Sequence, residues 1–116
     1  MKTLKFSKDF ISEILSGRKT ATWRCFDDKD LKKGDEVLCL EYGGRRVFAK
    51  ILLTEVEEKT FGELNEEDRK GHEEFKNDEE MYKVYSEYYK KEITPDTPVK
   101  IIRFKILEKI YPEVNL

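Results

Sequence analysis

The chain of 116 residues contains no glutamine, one histidine and two cysteines. These are too few side chains for a four-coordinate structural zinc site of histidine and cysteine, and we predict neither a metal nor a cofactor. No run of about eighteen apolar residues is present, which argues against a membrane-spanning helix. Residues Met1 to Phe6 lack the apolar core and cleavage site of a signal peptide. We therefore expect a cytoplasmic location.

The two cysteines, Cys25 and Cys39, lie far apart in the sequence and form no Cys-x-x-Cys pair. Because thiols stay reduced in the cytoplasm, a disulfide is not expected. Both side chains are predicted to pack as small apolar groups.

Charged residues make up 41% of the chain, although the net charge is only −2. Abundant lysine and glutamate without glutamine is typical of proteins from hot environments. Between Gly17 and Lys33 the charges are mainly basic, whereas between Glu57 and Glu80 they are mainly acidic. This polarity predicts a positive face that could approach phosphate, and the alternative is a surface of mixed, solvated charges.

The first half of the sequence predicts one helix followed by three short strands. Apolar residues with helical spacing predict a helix from the N-cap Ser7 to a left-handed Gly17. Composition predicts strands over residues 20–26, 36–42 and 45–56, with Gly43-Gly44 as a hairpin turn.

The second half begins with Thr60-x-x-Glu63, a capping box that predicts a short helix near Phe61. A polar stretch follows over residues 65–77. Asp78 is then predicted to cap a helix with apolar residues at helical spacing. A proline-containing loop over residues 94–98 precedes a final strand over 99–107.

Short strands with inserted helices indicate a single α+β domain over residues 1–116, with its core at about 6–107 and a short tail at 108–116. We predict a small, partly open mixed β-barrel with helices packed at its ends. An open antiparallel sheet covered by helices is the alternative.

The densest group of reactive side chains lies in the stretch Gly17 to Arg24. In a strand, Thr20, Thr22 and Arg24 share one face, and the other face carries Ala21, Trp23 and Cys25. One interpretation is an ordinary strand with a solvated polar face. The other is a reactive threonine hydroxyl deprotonated by Lys19, with Arg18 or Arg24 supplying cations.

A carboxylate partner for Lys19 is available in the acidic segment that contains Glu73 and Glu74, although most of its charges are expected to be solvated. His72 precedes them, and it is interpreted either as a general base or as an ordinary surface histidine.

Aromatic side chains that could stack on a nucleobase are Trp23, Phe26, Tyr42 and Phe75. Trp23 is alternatively a core anchor. The tyrosines of the late helix are expected to pack it against the sheet while their hydroxyls reach water.

The pattern Gly17-x-Lys19-x-x-Thr22-x-Arg24 resembles the signature of the ASCH domain family, G-x-K-x-x-E-x-R, and the resemblance runs from about Phe6 to Leu107. It implies a PUA-like β-barrel that binds RNA or a nucleotide. The residues predicted to bind the ligand are Gly17, Arg18, Thr20, Trp23, Arg24 and Arg45.

Thr22 stands where the family usually has glutamate, and this departure resembles the acetylcytidine amidohydrolase branch of the family. That resemblance implies Lys19 as the base, Thr22 as the nucleophile, and Glu73 or Glu74 as the third catalytic residue. The hypothesis is hydrolysis of the amide of an N-acetylated cytidine. The alternative is a non-enzymatic module that binds RNA or a modified nucleoside in the same cleft. A protein-interaction domain is a third, less specific interpretation.

Overall fold

The computed structural model describes residues 1–44 and 46–110, and Arg45 and residues 111–116 lie outside the described residues. No helix in the described part is long and apolar enough to cross a membrane. The strands are β1 (Lys2–Phe6), β2 (Ala21–Arg24), β3 (Glu36–Glu41), β4 (Val47–Thr60) and β5 (Pro98–Lys109). The helices are α1 (Lys8–Leu15), α2 (Glu66–Arg69) and α3 (Asp78–Tyr89), and a 3₁₀ turn covers Phe61–Glu63.

The five strands form one sheet in the order β1-β3-β4-β5-β2. β1 runs parallel to β3, and the other neighbouring strands are antiparallel. Register shifts at Lys50/Ile51 and Leu53/Glu55 interrupt the long pairing of β4 with β5, and such bulges bend and twist a sheet. The sheet is a curled half-barrel with three helices, which confirms the predicted mixed, partly open α+β barrel. The purely antiparallel alternative is wrong.

The core consists of two clusters of buried side chains. One joins α1 to strands β1, β3 and β4 and includes Phe6, Ile14 and Phe48. The other joins β2 and β5 to α3 and includes Trp23 and Met81. Burying these apolar surfaces supplies most of the driving force for folding.

The predicted helix at Phe61 is a single 3₁₀ turn. Its capping box is formed, since the Thr60 amide donates to Glu63 Oε1 at 2.9 Å. The polar stretch that follows contains α2, which was not predicted. The N-cap of α3 is Asn77 rather than Asp78, because the Asn77 side chain accepts from the Glu80 amide at 2.8 Å.

Two strands differ from prediction. β1 was missed, because this short segment becomes a strand only through parallel pairing with a distant partner. β4 continues to Thr60 despite its acidic second half. There β5 supplies a complete ladder of partners, and tertiary pairing overrides the weak strand propensity of glutamate.

Candidate functional site

The candidate site starts where α1 ends. Gly17 has a φ of 81°, the left-handed conformation predicted for it. Two residues later, the Lys19 amide donates to Glu13 O at 2.9 Å, and this bond ties the connection back onto α1. The chain then enters β2 with the Lys19 side chain directed inward.

The Lys19 side chain is buried, with an exposed fraction of 5%. Its Nζ donates to Ala21 O at 2.8 Å and to Glu73 Oε2 at 2.6 Å. Burial lowers the pKa of the Lys19 ammonium below its usual range, although the Glu73 carboxylate opposes this shift. A lysine in these surroundings loses its proton more readily than one on the surface.

Glu73 lies in the loop between α2 and α3, and backbone contacts hold this loop against β2. Gly71 O accepts hydrogen bonds from the Thr20 amide at 2.8 Å and from the Ala21 amide at 3.2 Å. From β5, Arg103 donates to Lys70 O at 2.9 Å. The neighbouring Glu74 is exposed. Of the two candidate carboxylates, Glu73 therefore contacts Lys19.

Thr22 has an exposed fraction of only 4%, so the interpretation of its strand face as solvated is wrong. The predicted alternation of β2 is correct, but side chains cover both faces. Thr22 Oγ1 accepts a hydrogen bond from Arg24 Nε at 3.2 Å. Arg24 also donates to Lys5 O at 2.8 Å, and its guanidinium lies 4.6 Å from the centroid of the Phe6 ring. Arg24 is thereby held beside the threonine hydroxyl.

Lys19, Thr22, Arg24 and Glu73 all line a cleft of about 140 Å³ between the start of α1, β2 and α3. Its apolar wall includes Phe10, Phe75, Val84 and Tyr88. A mainly apolar wall with a few polar groups is typical of small-molecule sites. The cleft also offers a hydroxyl, an amine, a carboxylate and a guanidinium, which can serve as nucleophile, base, orienting group and oxyanion donor in acyl transfer.

Several residues predicted to bind ligand lie elsewhere. Gly17 and Thr20 line a separate depression outside this cleft. Arg18 is exposed and pairs with Glu13 at 2.8 Å. Lys32 likewise pairs with Asp30 at 3.1 Å, so parts of the predicted basic face carry mixed charge. Arg45 lies outside the described residues.

The aromatic candidates separate into two groups. Trp23 and Phe75 line the cleft, and Trp23 is also a buried anchor of the second core cluster. Phe26 and Tyr42 are exposed and do not line it. Trp23 is therefore the core anchor that one interpretation predicted, and its stacking on a nucleobase stays a prediction.

His72 is buried, with an exposed fraction of 8%, so the surface-histidine interpretation is wrong. Its ring stacks on Trp23 with the centroids 3.8 Å apart. His72 Nδ1 lies 2.9 Å from Glu73 O, and Nε2 lies 3.1 Å from the Tyr85 hydroxyl. Burial, with a further contribution from the Lys19 charge, lowers the pKa of His72 to about 4.

The buried Tyr85 and the half-buried Tyr89 both use their hydroxyls inside the protein, which the sequence did not indicate. Tyr85 bonds His72, and the Tyr89 hydroxyl accepts from the Cys25 amide at 3.0 Å. Helical spacing placed these rings on the apolar face of α3, but it carries no information about partners for the hydroxyls. The expected exposure of the Tyr85 hydroxyl to water is wrong, because this residue is buried.

Cys25 and Cys39 are buried free thiols, as expected, and burial raises the pKa of each to about 12. Neither is therefore poised as a nucleophile. Within residues 1–44 and 46–110, no set of histidine, cysteine and acidic side chains converges as metal ligands.

No family model matches the chain. It is 42% identical over 65 residues to an N(4)-acetylcytidine amidohydrolase from Vibrio vulnificus. That match covers 54% of this chain and 61% of the relative, so the chain spans less than two thirds of the relative's length.

Solved structures resemble the chain over most of its length. Protein EF3133 from Enterococcus faecalis has a TM-score of 0.74 at 22% identity, covering 93% of this chain and 76% of its own. An ASCH domain from Lactobacillus crispatus has a TM-score of 0.66 at 13% identity, and the match covers 90% of this chain and 79% of that domain's chain. A ZmASCH variant from Zymomonas mobilis has a TM-score of 0.64 at 18% identity, and the match covers 95% of this chain and 72% of the variant's chain.

Proposed function

This protein has the ASCH-domain fold, and we propose that its cleft binds an N4-acylated cytidine and hydrolyses the exocyclic amide. The observation that supports this best is the buried Lys19–Glu73 pair, with 2.6 Å between Nζ and Oε2, in the same cleft as Thr22. The likeness to the amidohydrolase from Vibrio vulnificus supports the choice of substrate.

In the proposed reaction, Thr22 Oγ1 attacks the acyl carbonyl carbon and its proton passes to the neutral Lys19 amine. The tetrahedral intermediate then collapses, the carbon–nitrogen bond breaks, and Lys19 returns the proton to the leaving exocyclic nitrogen. Cytidine departs, and the acyl group remains on Thr22 as an ester. Water hydrolyses this ester with Lys19 again as base, which releases the carboxylic acid and restores the hydroxyl.

Arg24 and Glu73 have supporting roles in this scheme. Because the Arg24 guanidinium already lies beside Thr22 Oγ1, it is placed to stabilise the negative charge on the carbonyl oxygen during attack. Glu73 orients the Lys19 amine. The burial of Lys19 matters because only its neutral form accepts a proton, and burial favours that form.

The proposal is tested by incubating the purified protein with N4-acetylcytidine and following products by chromatography. We expect cytidine and acetate in equal amounts, with turnover beyond one equivalent of enzyme. A companion titration measures nucleoside binding at increasing salt. If acetylcytidine binds but no cytidine forms, the hydrolase is excluded.

The rival function is a non-enzymatic module that binds RNA or a nucleotide, and one observation favours it. The exposed Lys5 and half-buried Arg24 lie in the same cleft wall as the exposed Tyr88 ring, a combination of cations and an aromatic that suits a nucleotide. This module would show RNA affinity that weakens steeply with salt and does not depend on Thr22. RNA binding absent at low salt would exclude it.

The charge of Glu73 raises the pKa of Lys19, so its removal shifts the pH dependence in a defined direction. In the Glu73→Gln variant we expect the rising limb of kcat/KM to move to lower pH, because Lys19 then loses its proton more easily. The maximum rate falls, because the amine is less well oriented. Kinetics on acetylcytidine from neutral to alkaline pH measure both effects.

Glu74→Gln is the matched control, since it removes the same charge from the exposed neighbouring position. Its profile should follow the unmodified protein. A limb that moves to higher pH in Glu73→Gln would show that Lys19 does not act as the free base.

A further inference from the structure

We propose that His72 is a positioning residue, which holds the Glu73 carboxylate toward Lys19 through a single neutral tautomer fixed by Tyr85. Its catalytic consequence rests on the proposed function. The geometry itself does not, and it can be tested without any turnover.

The tautomer follows from the two partners of the imidazole ring. His72 Nδ1 lies 2.9 Å from Glu73 O, a carbonyl that only accepts hydrogen bonds. Nδ1 must therefore carry the proton. In the neutral ring Nε2 is then a bare acceptor, and it receives the Tyr85 hydroxyl proton at 3.1 Å. Of the two neutral tautomers, only this one satisfies both ring nitrogens.

The same acceptor nitrogen faces the carboxylate. His72 Nε2 lies 3.4 Å from Glu73 Oε1, while Glu73 Oε2 is bonded to Lys19 Nζ. The two carboxylate oxygens therefore have different surroundings. Oε2 accepts from the Lys19 ammonium, and Oε1 faces the lone pair of His72 Nε2. A bare Nε2 offers no proton to Glu73, so the carboxylate remains available to Lys19.

Protonation of His72 would reverse this arrangement. A protonated Nε2 would donate a hydrogen bond to Glu73 Oε1 and compete with Lys19 for the carboxylate. The charged and titratable groups around the ring are Lys19 before β2, Arg69 of α2, Tyr85 of α3 and Glu73 of its own loop. The nearby cations and the burial of the ring both keep His72 neutral.

Packing alone does not account for these contacts. The ring lies on Trp23 with an interplanar angle of 14°, and either neutral tautomer would stack equally well. A structural role for His72 therefore requires the ring, whereas the proposed role requires the nitrogens. His72→Phe keeps a ring on Trp23 and removes both nitrogens.

The first experiment is nitrogen NMR of the protein with labelled histidine, in which His72 gives the only signals because the chain has one histidine. We expect the Nδ1-protonated neutral form, with titration near pH 4. Tyr85→Phe should release the constraint and add the Nε2-protonated form. An Nε2-protonated ring in the unmodified protein, or titration near pH 6.5, would overturn the proposal.

The second experiment follows the Lys19 ammonium by NMR and the kinetics in His72→Phe. His72→Phe removes the hydrogen bond from Nδ1 to Glu73 O that anchors this residue, so Glu73 should turn away and the Lys19 pKa should fall, as expected for Glu73→Gln. If acetylcytidine is a substrate, kcat should fall by roughly tenfold to a hundredfold with KM little changed. An unchanged Lys19 pKa refutes the positioning role, whereas absent turnover with the expected NMR result refutes only the proposed reaction. Should His72→Phe not fold, the tautomer in the unmodified protein still decides.

Discussion

Replacement of Thr22 by valine should reduce kcat/KM for acetylcytidine by a factor on the order of 10³ or more, while the protein stays folded. Valine keeps the branched shape of threonine in its buried position and removes only the hydroxyl. The hydrogen bond from Arg24 to Thr22 is lost, but Arg24 retains its bond to Lys5 O. The defect should therefore lie in the chemical step.

Lys19→Met is expected to cause a loss of similar size for a separate reason. Methionine matches much of the lysine side chain but accepts no proton. The fold should survive, because Glu73 is partly exposed and water can solvate its carboxylate. Neither variant should form an acyl-enzyme ester, because Thr22→Val lacks the nucleophile and Lys19→Met lacks the base.

The controls for these variants come from the same stretch of chain. Arg18→Gln alters the residue beside Lys19, but Arg18 is exposed and bound to Glu13, so activity should remain. Thr22→Ser keeps a hydroxyl and should retain much of the rate. Full activity in Thr22→Val or Lys19→Met would rule out the proposed mechanism. Loss of activity in Arg18→Gln would show that the whole stretch is merely sensitive to substitution.

Replacement of Gly71 by alanine should lower the free energy of unfolding by about 3 kcal/mol. Gly71 has a φ of 74°, and a Cβ there would lie 2.0 Å from Thr20 Oγ1 and 3.2 Å from Thr20 Cβ. The turn has little freedom to withdraw, because Gly71 O is bonded to the Thr20 and Ala21 amides. Urea denaturation measures the loss.

Gly17→Ala is the matched control, because Gly17 has a similar φ of 81° with nothing within 4 Å of the added Cβ. Gly17→Ala should lower the free energy of unfolding only by the backbone strain, about 1 kcal/mol. The difference between the two variants isolates the clash with Thr20, and adding Thr20→Ala to Gly71→Ala should recover part of it. Equal costs at the two glycines would contradict the predicted clash.

Gly71→Ala also has a functional consequence, since its loop carries Glu73. A displaced loop should separate Glu73 from Lys19. The Lys19 pKa should therefore fall even at low denaturant concentrations, at which the variant is still folded. NMR of the lysine ammonium distinguishes this local change from global unfolding. An unchanged Lys19 pKa would mean that the strain is absorbed elsewhere.

The amino-acid sequence alone determined those features that depend on neighbouring residues. The spacing of apolar residues placed α1 and α3, and the left-handed end at Gly17 followed from glycine's freedom at positive φ. Alternation correctly assigned the faces of β2. The motif from Gly17 to Arg24 indicated the ASCH resemblance, which is confirmed at the level of the fold.

Only the tertiary structure decided which of these residues meet. Lys19 and Glu73 are separated by 54 residues, and β1 becomes a strand only beside β3. The burial of Thr22 and His72 likewise depends on the loop and helix that pack over β2. Periodicity reports the direction of a side chain relative to its own backbone, whereas burial and partners depend on what lies opposite. The candidate chemistry and a pair of adjacent carboxylates could therefore be predicted from the sequence, whereas the choice of Glu73 over Glu74, the buried histidine and the cleft could not.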